Sequence, residues 1–207
     1  RQFVLGRTIE EAQDRGKSQE ERGYTYSYDM LGEAARTDAD AQRYYQAYSD
    51  AIDSISKRCK GDVRTNPGIS VKLSALLARY EYGHKERVMN ELMPRALKLA
   101  KKAAAANMGF NIDAEEQDRL DLSLDVIEAI LSDPELKDWQ GFGVVVQAFG
   151  KRASQTLDWL YALSEKLDRR IMVRLVKGAY WDAEIKRAQV MGLSDFPVFT
   201  RKACSDV

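Results

Sequence analysis

The chain has 207 residues, of which 44% are hydrophobic and 31% are charged, so it has enough apolar side chains for a packed core in one large domain or part of one. Lysine plus arginine and aspartate plus glutamate both number 32, and this formal net charge of zero argues against binding to nucleic acid or to an anionic membrane. Cys59 and Cys204 form neither a CxxC pair nor a disulfide framework, and no stretch approaches the length of a transmembrane helix, which favours a cytoplasmic protein without membrane spans.

Residues 1–23 are highly charged and have helical periodicity, and no predicted strand precedes them. We predict that they form a helix and linker leading into the main domain, residues 24–207. Because the chain begins with Arg1 and its last segment, FPVFTRKACSDV, stops in the pattern of a first helical turn, we interpret it as part of a longer polypeptide.

In the main domain, short β-rich runs alternate five times with longer runs of helical periodicity. The first four strands are predicted at Tyr24–Met30, Gly68–Ala75, Gly109–Ala114 and Gly141–Phe149. The fifth is predicted as a buried strand carrying two cations, within the segment RIMVRLVKGAYWDAEIKRA of residues 170–188.

The helical runs follow the strands one by one. A helix is predicted from about Asp38 to Lys57, because its apolar residues recur at spacings of three and four. The helix after the second strand contains Pro94, which should kink it. The last helix is predicted from about Asp182 to Met191.

Strands that alternate with helices form a parallel sheet, either open and doubly wound or closed into a barrel. No GxGxxG or GxxxxGK[ST] motif opens a helix, so the usual phosphate-binding signs of the open sheets are missing. A polar residue instead lies near the C-terminal end of every predicted strand: Asp29, Lys72, Asp113, Gln147 and Arg174. Such ends converge on the mouth of a (β/α)8 TIM-type barrel. We therefore predict an α/β fold, with about five barrel units present and the closing units beyond the present residues.

The residues of the predicted mouth carry charges of both signs, which suits a zwitterion or a polar cofactor. A metal site is one alternative, since NIDAEE supplies three carboxylates, but Gln147 and Arg174 at the next two strand ends argue against it, and we predict no metal. The single histidine, His84, has no partner for zinc or for Ser-His-Asp chemistry. A Schiff-base lyase remains open, because Lys72 or Lys177 in an apolar strand could attack a carbonyl group.

Six segments spread over nearly the whole chain carry a more specific signal. They are YSYDMLGEAA (26–35), ISVKLSAL (69–76), NIDAEEQDRL (111–120), VVVQAF (144–149), RLVKGAYWDAEIKRAQ (174–189) and PVFTRK (197–202). These segments closely resemble the FAD-dependent proline dehydrogenase domains of the bacterial proline utilisation A family. The length of the fifth segment makes the resemblance highly specific.

The resemblance implies a distorted (β/α)8 barrel with FAD across its C-terminal mouth. It implies oxidation of L-proline to Δ1-pyrroline-5-carboxylate by hydride transfer from the ring to flavin N5, followed by electron transfer to a membrane quinone. This is the first step of proline catabolism to glutamate, which a downstream aldehyde dehydrogenase domain completes in many members. The implied location is the cytoplasm, with peripheral contact at the inner membrane.

By the same resemblance, Lys72 contacts the proline carboxylate and Tyr180 packs beside the substrate ring. Asp29 and Glu33 match acids that pair with two arginines of a late helix, expected beyond the present residues. The implied pocket lining is completed by Leu175 and Ala179. The residues implied in the catalytic step are Lys72, Asp113, Arg174 and Tyr180.

The resemblance also implies a set of flavin contacts. They are Asp113, Ala114, Gln147, Arg174, Val176, Lys177, Gly178, Ala179, Trp181, Phe199, Thr200, Arg201 and Lys202. Phe199 stands where the family pattern has tyrosine, which keeps an aromatic ring for stacking but loses the hydroxyl group.

The clamp arginines and the last flavin-binding strands are expected beyond the present residues. We therefore predict that this segment alone binds FAD poorly and is weakly active or inactive. The alternatives to a proline dehydrogenase are the Schiff-base lyase and a non-catalytic barrel piece that serves as a scaffold.

Overall fold

A computed structural model describes residues 4–206 and contains five strands in a single sheet. The strands, β1 to β5, are Ser27–Asp29, Gly68–Val71, Gly109–Ile112, Phe142–Gln147 and Met172–Val176. The longer α-helices, α1 to α6, are Ile9–Glu20, Asp38–Ser56, Met93–Ala105, Leu120–Leu131, Ala153–Lys166 and Trp181–Val190. The predicted alternation of strand and helix is therefore present.

The strands lie in the sheet in the order in which they occur in the chain, and every pairing is parallel. In a doubly wound sheet the order of the strands reverses at a switch point, whereas in a barrel each new strand lies beside the preceding one. Strands β2, β3 and β4 are buried at every residue, which is typical of parallel strands covered on both faces. The order of the strands thus favours the barrel over the doubly wound sheet.

Helix α2 begins and packs as its sequence predicts. The Asp40 N–H group donates to Thr37 Oγ1 at 3.1 Å, and the Thr37 N–H group donates to Asp40 Oδ2 at 3.1 Å, which forms a capping box. Tyr48, Ile52 and Ile55 are buried on one face of the helix. Removing this apolar face from water anchors α2 against the sheet.

The helix that contains Pro94 changes type where the kink is predicted. Val88–Leu92 forms a π-helical turn, and α3 then begins at Met93 with Pro94 in its first turn. A proline costs little at this position, because the first N–H groups of a helix have no partner within it. The wider π turn takes up the distortion while Val88 and Leu92 remain buried.

The strands predicted with definite ends are all shorter than predicted. The second strand is predicted to end at Ala75, but β2 ends at Val71 and Leu73–Ala75 forms a 3-10 turn. The alternation of apolar and polar residues continues through this turn, so the sequence pattern carries no sign of the end of the strand. Lys72 consequently lies just beyond β2 and not inside it.

The prediction that the fifth strand is buried is wrong. Met172 is 44% exposed, Val173 39% and Leu175 59%. The reason is its position, since β5 is the outer strand of the sheet formed by residues 4–206 and pairs only with β4 there. An apolar sequence predicts a strand but not the neighbours that cover it.

Helix α1 lies within the predicted N-terminal helix and linker, residues 1–23. Residues 1–3 of this segment and residue 207 of the main domain lie outside the described part of the chain. Arg58, which follows α2, donates to the Gln13 carbonyl oxygen at 2.9 Å and pairs with Asp14 at 2.8 Å. This contact lies where the chain turns back toward β2, at the end of the sheet opposite the predicted mouth. The division at residue 23 stays a prediction.

Candidate active site

Four of the five predicted strand-end side chains form one ion-pair network. Lys72 Nζ lies 2.8 Å from Asp29 Oδ1 and 3.0 Å from Asp113 Oδ2. Arg174 Nη2 lies 2.5 Å from Asp113 Oδ1 and 3.2 Å from Ser70 Oγ. The structure therefore brings together side chains from β1, β5 and the residues that directly follow β2 and β3.

The strand ends hold the centre of this network in place. The Lys72 N–H group donates to the Tyr48 hydroxyl group at 3.3 Å, and the Asp113 N–H group donates to the Val71 carbonyl oxygen at 3.0 Å. The side chains of Lys72 and Asp113 are only 15% and 11% exposed. Arg174 differs from the prediction, because it lies opposite Val145 and two residues before the end of β5, and reaches the network through its long side chain.

The charges of the network stabilise one another. Burial by itself would lower the pKa of Lys72, but the Asp29 and Asp113 carboxylates outweigh burial and raise this pKa above its usual value. Burial raises the pKa of Asp113, and the Lys72 and Arg174 cations limit that rise. A Schiff-base lysine needs a lowered pKa, so the environment of Lys72 argues against the lyase alternative.

Lys177, the other lysine considered for a Schiff base, lies in the open. Its side chain is 61% exposed and forms an ion pair with Asp206. Lys202 Nζ pairs with the same Asp206 carboxylate at 2.5 Å. The two lysines therefore lie close together on the surface, and the Lys202 ammonium group lowers the pKa of Lys177. The lyase alternative thus stays open at Lys177, although this lysine is exposed and not in an apolar pocket.

The fifth strand-end residue, Gln147, is buried, and its amide group is used within the protein. Its Nε2 donates to the Glu115 carbonyl oxygen at 2.9 Å, and its Oε1 accepts from the Ala179 N–H group at 2.9 Å. The side chain thus connects the segment after β3 with the segment after β5. Its predicted contact with a flavin stays a prediction.

A second polar pair joins the two outer strands of the sheet. The Tyr180 hydroxyl group, after β5, donates to Glu33 Oε2, after β1, at 3.1 Å. Burial and the nearby Glu33 carboxylate raise the pKa of Tyr180, so the phenol remains protonated and acts as the donor. Two residues predicted to belong to the substrate site, 147 positions apart, therefore lie in direct contact.

The predicted flavin-contacting segment at residues 199–202 lies beside the ends of β4 and β5. The Phe199 N–H group donates to the Phe149 carbonyl oxygen at 2.8 Å, and Gly150 forms an antiparallel bridge with Val198. The Trp181 Nε1 group donates to the Phe199 carbonyl oxygen at 2.9 Å. The other predicted pocket and flavin residues are exposed at Leu175, Ala179, Thr200 and Arg201 and partly buried at Ala114 and Val176.

Gly178 is required by the backbone of the segment after β5. Its φ angle is +132°, a conformation that favours glycine, and a Cβ atom at this position would overlap the Phe149 ring. We expect Gly178→Ala to lower the free energy of unfolding by about 1–3 kcal/mol, measured by urea denaturation. Gly83→Ala is the matched control, because no atom lies within 4 Å of its added Cβ. Equal stability of the two variants would contradict this role.

Sequence reasoning missed three polar residues around this site. Ser70 contacts Arg174 from within β2, and Ser74 and Glu115 bind each other through the Ser74 N–H group at 3.0 Å. The sequence suggests Glu115 only as one carboxylate of a metal site. The available signals were the two serines of the alternating segment ISVKLSAL and a carboxylate two residues after Asp113. None of these signals indicates its partner.

Comparisons with known proteins agree with this geometry. The sequence profile of the family described as "Proline dehydrogenase" matches residues 12–207. The chain is 52% identical over 207 residues to the bifunctional protein PutA of Escherichia coli and 56% identical over 206 residues to that of Rhizobium meliloti. The matches cover 100% of this chain but only 16% of either relative.

Solved structures show the same fold. Proline utilization A from Bradyrhizobium japonicum superimposes with a TM-score of 0.89 at 57% identity, over 99% of this chain and 21% of that one. Proline utilization A from Bdellovibrio bacteriovorus superimposes with a TM-score of 0.92 at 28% identity, over 99% of this chain and 22% of that one. The predicted fold class, part of a TIM-like barrel, is confirmed. The chain belongs to the proline dehydrogenase family.

Proposed function

We propose that this segment carries the oxidation of L-proline to Δ1-pyrroline-5-carboxylate in an FAD-dependent proline dehydrogenase. The observation that carries the proposal is the Lys72 ammonium group, held between Asp29 and Asp113 at the strand ends of a chain that belongs to this family. Proline is a zwitterion, and the site offers it buried charge of both signs. The reaction is the first step of proline catabolism to glutamate.

Lys72 is proposed to bind the substrate carboxylate. Its side chain is 15% exposed and that of Asp29 is 54% exposed, so the Asp29 side of the lysine faces the open mouth of the sheet. The Tyr180 phenol, held by Glu33, would pack beside the substrate ring. Leu175 and Ala179 are exposed where they would supply further contact area. Charge-assisted hydrogen bonds to the carboxylate then orient the ring carbon that loses the hydride.

The residues present fit FAD. Arg174 uses only Nη2 within residues 4–206, so its Nε and Nη1 groups remain able to donate to a ligand. The exposed Lys177 and Lys202 side chains suit a pyrophosphate group, and the Trp181 indole is 40% exposed for stacking. When bound, FAD supplies the acceptor for the hydride, while the protein groups set its orientation and electrostatics.

The remaining proposed contacts to FAD are made by backbone, apolar, aromatic, polar and charged groups. They are Asp113, Ala114, Gln147, Val176, Gly178, Ala179, Phe199, Thr200 and Arg201.

The proposed partners are a membrane quinone as electron acceptor and an aldehyde dehydrogenase domain in the same polypeptide. The second is supported by the relatives called bifunctional proteins, of which this chain spans 16%. Within residues 4–206 no helix is long and apolar enough to cross a bilayer. We propose a cytoplasmic location, with quinone reached by peripheral contact at the inner membrane.

The proposal is tested by adding L-proline to the purified natural full-length protein under anaerobic conditions. We expect stoichiometric FAD after purification and proline-dependent bleaching of the flavin absorbance band. Borohydride trapping of a substrate on Lys72 or Lys177 would support the lyase instead. Partner binding without bleaching or trapping would support the scaffold.

A further inference from the structure

Ser74 joins the loop after β1 to the segment after β3. Its hydroxyl group accepts from the Ala34 N–H group at 2.9 Å, and its carbonyl oxygen accepts from the Ala35 N–H group at 2.9 Å. Its own N–H group donates to Glu115 Oε1 at 3.0 Å. Ser74 is 2% exposed, so these hydrogen bonds are formed away from solvent.

The connection continues from Glu115 to the segment after β5. The Glu115 carbonyl oxygen accepts from Gln147 Nε2, and Gln147 Oε1 accepts from the Ala179 N–H group, both at 2.9 Å. The next residue, Tyr180, donates to Glu33, which precedes Ala34. We call this closed chain of contacts the strand-end belt; its members are Glu33, Ala34, Ala35, Ser74, Glu115, Gln147, Ala179 and Tyr180.

The loop after β1 needs such a tether. Gly32 has a φ angle of +127° and Ala34 one of +51°, so two backbone positions on either side of Glu33 are in conformations that cost free energy for most residues. The Glu33 side chain is therefore held in place less by its own segment than by the two hydrogen bonds that Ala34 and Ala35 donate to Ser74.

The buried Glu115 carboxyl group fixes Ser74 in turn. Its side chain is 5% exposed. Burial raises its pKa, and hydrogen bonds from the Ser74 hydroxyl and N–H groups counter this effect. Arg119 Nη1 lies 3.6 Å from its other oxygen. A buried acceptor of this kind is costly unless its bonds are made, which favours one fixed arrangement of the turn after β2.

We propose that Ser74 and Glu115 are positioning residues for the substrate site, acting through the belt on Glu33 and Tyr180. The inference rests on the proposed function for its effect on proline. The belt connects the segments after β1 and β5 through the segments after β2, β3 and β4. Loss of a contact at Ser74 or Glu115 therefore loosens the Glu33–Tyr180 pair without removing a group that touches the substrate.

The test compares two variants of the natural full-length protein. Ser74→Ala removes the acceptor of the Ala34 N–H group and the contact of the Ser74 hydroxyl group with Glu115, and keeps both backbone contacts of residue 74. Glu115→Ala removes the acceptor of the Ser74 N–H group. We expect each to raise the KM for L-proline about tenfold with kcat changed less than about twofold, since buried hydrogen bonds of the belt are lost. Hydrogen–deuterium exchange in the peptide covering residues 31–36 should quicken about tenfold in Ser74→Ala.

Two controls separate positioning from stability. Glu115→Gln keeps an oxygen that accepts from Ser74 and should restore the wild-type KM. Glu116→Ala removes the neighbouring carboxylate, which pairs with Arg119 at 3.1 Å and does not contact Ser74, and should leave KM and exchange unchanged.

Unchanged KM and exchange in Ser74→Ala and Glu115→Ala would overturn the proposal. So would an equal rise of KM in Glu116→Ala, because the effect would then be a general loss of stability. A wild-type protein that does not oxidise proline would refute the proposed function. The hydrogen–deuterium exchange of residues 31–36 in Ser74→Ala would then test by itself whether the belt holds the loop after β1.

Discussion

Replacing Lys72 by methionine is expected to raise the KM for L-proline by about 10- to 100-fold while kcat falls much less, because a hydrogen bond to a charged group is lost from substrate binding. Methionine keeps the length of the side chain but removes the cation that lies 2.8 Å from Asp29 and 3.0 Å from Asp113. The two carboxylates would then face each other and the substrate carboxylate without a cation between them. Steady-state kinetics of the natural full-length protein with proline measures the effect.

Lys102→Met is the matched control for this variant. Lys102 Nζ pairs with Asp53 at 2.6 Å and also donates to the Ser49 carbonyl oxygen, so it is a lysine of similar bonding that joins α2 and α3 away from the mouth. We expect its KM to equal that of the wild type. An unchanged KM in Lys72→Met, or an equal rise in both variants, would contradict the role of Lys72.

Short-range patterns were sufficient for the architecture of the chain. The start of α2 follows from Thr37 and Asp40, which make a capping box that is complete within four residues, and its existence follows from apolar residues at helical spacing. The convergence of Asp29, Lys72 and Asp113 follows from a general property of parallel strands, whose C-terminal ends lie at the same edge of the sheet. Neither inference requires knowledge of a distant partner.

Features that depend on distant partners could not be predicted from those patterns. The exposure of β5 depends on what pairs with its outer edge, and the apolar residues Met172, Val173 and Leu175 look the same in a covered strand. Ser74 makes its contacts with Ala34, 40 positions earlier, and Glu115, 41 positions later. A serine in an alternating segment does not indicate either partner.

The family resemblance supplied what the patterns lacked. It named Glu33 and Tyr180 as members of one substrate site, and their side chains lie 3.1 Å apart. It also directed attention to residues 199–202, whose position beside Phe149 no periodicity suggests. The resemblance could not predict the hydrogen bonds of the Gln147 amide group within the protein, because a motif records which residue is present and not which of its atoms are already bound.

Replacing Arg174 by methionine is expected to lower kcat by about 10- to 100-fold, which corresponds to about 1.4–2.7 kcal/mol of lost transition-state stabilisation. The guanidinium group is held by Asp113 at 2.5 Å and by Ser70 at 3.2 Å, while its side chain remains 41% exposed. It is thus a fixed cation whose Nε and Nη1 groups remain able to donate to a ligand. Such a cation stabilises negative charge that develops on a bound flavin during reduction, so its loss should also make the flavin reduction potential more negative.

Two further variants make this prediction specific. Arg174→Lys keeps the charge but loses the planar fork, and should lie between the wild type and Arg174→Met in both kcat and potential. Arg187→Met removes an arginine of α6 with similar exposure that pairs with Asp118 at 2.6 Å, and should change neither quantity. If Arg174→Met lowers turnover while the reduction potential and the rate of flavin reduction by proline stay at wild-type values, Arg174 does not act on the flavin. Its contribution would then be confined to holding Asp113 beside Lys72.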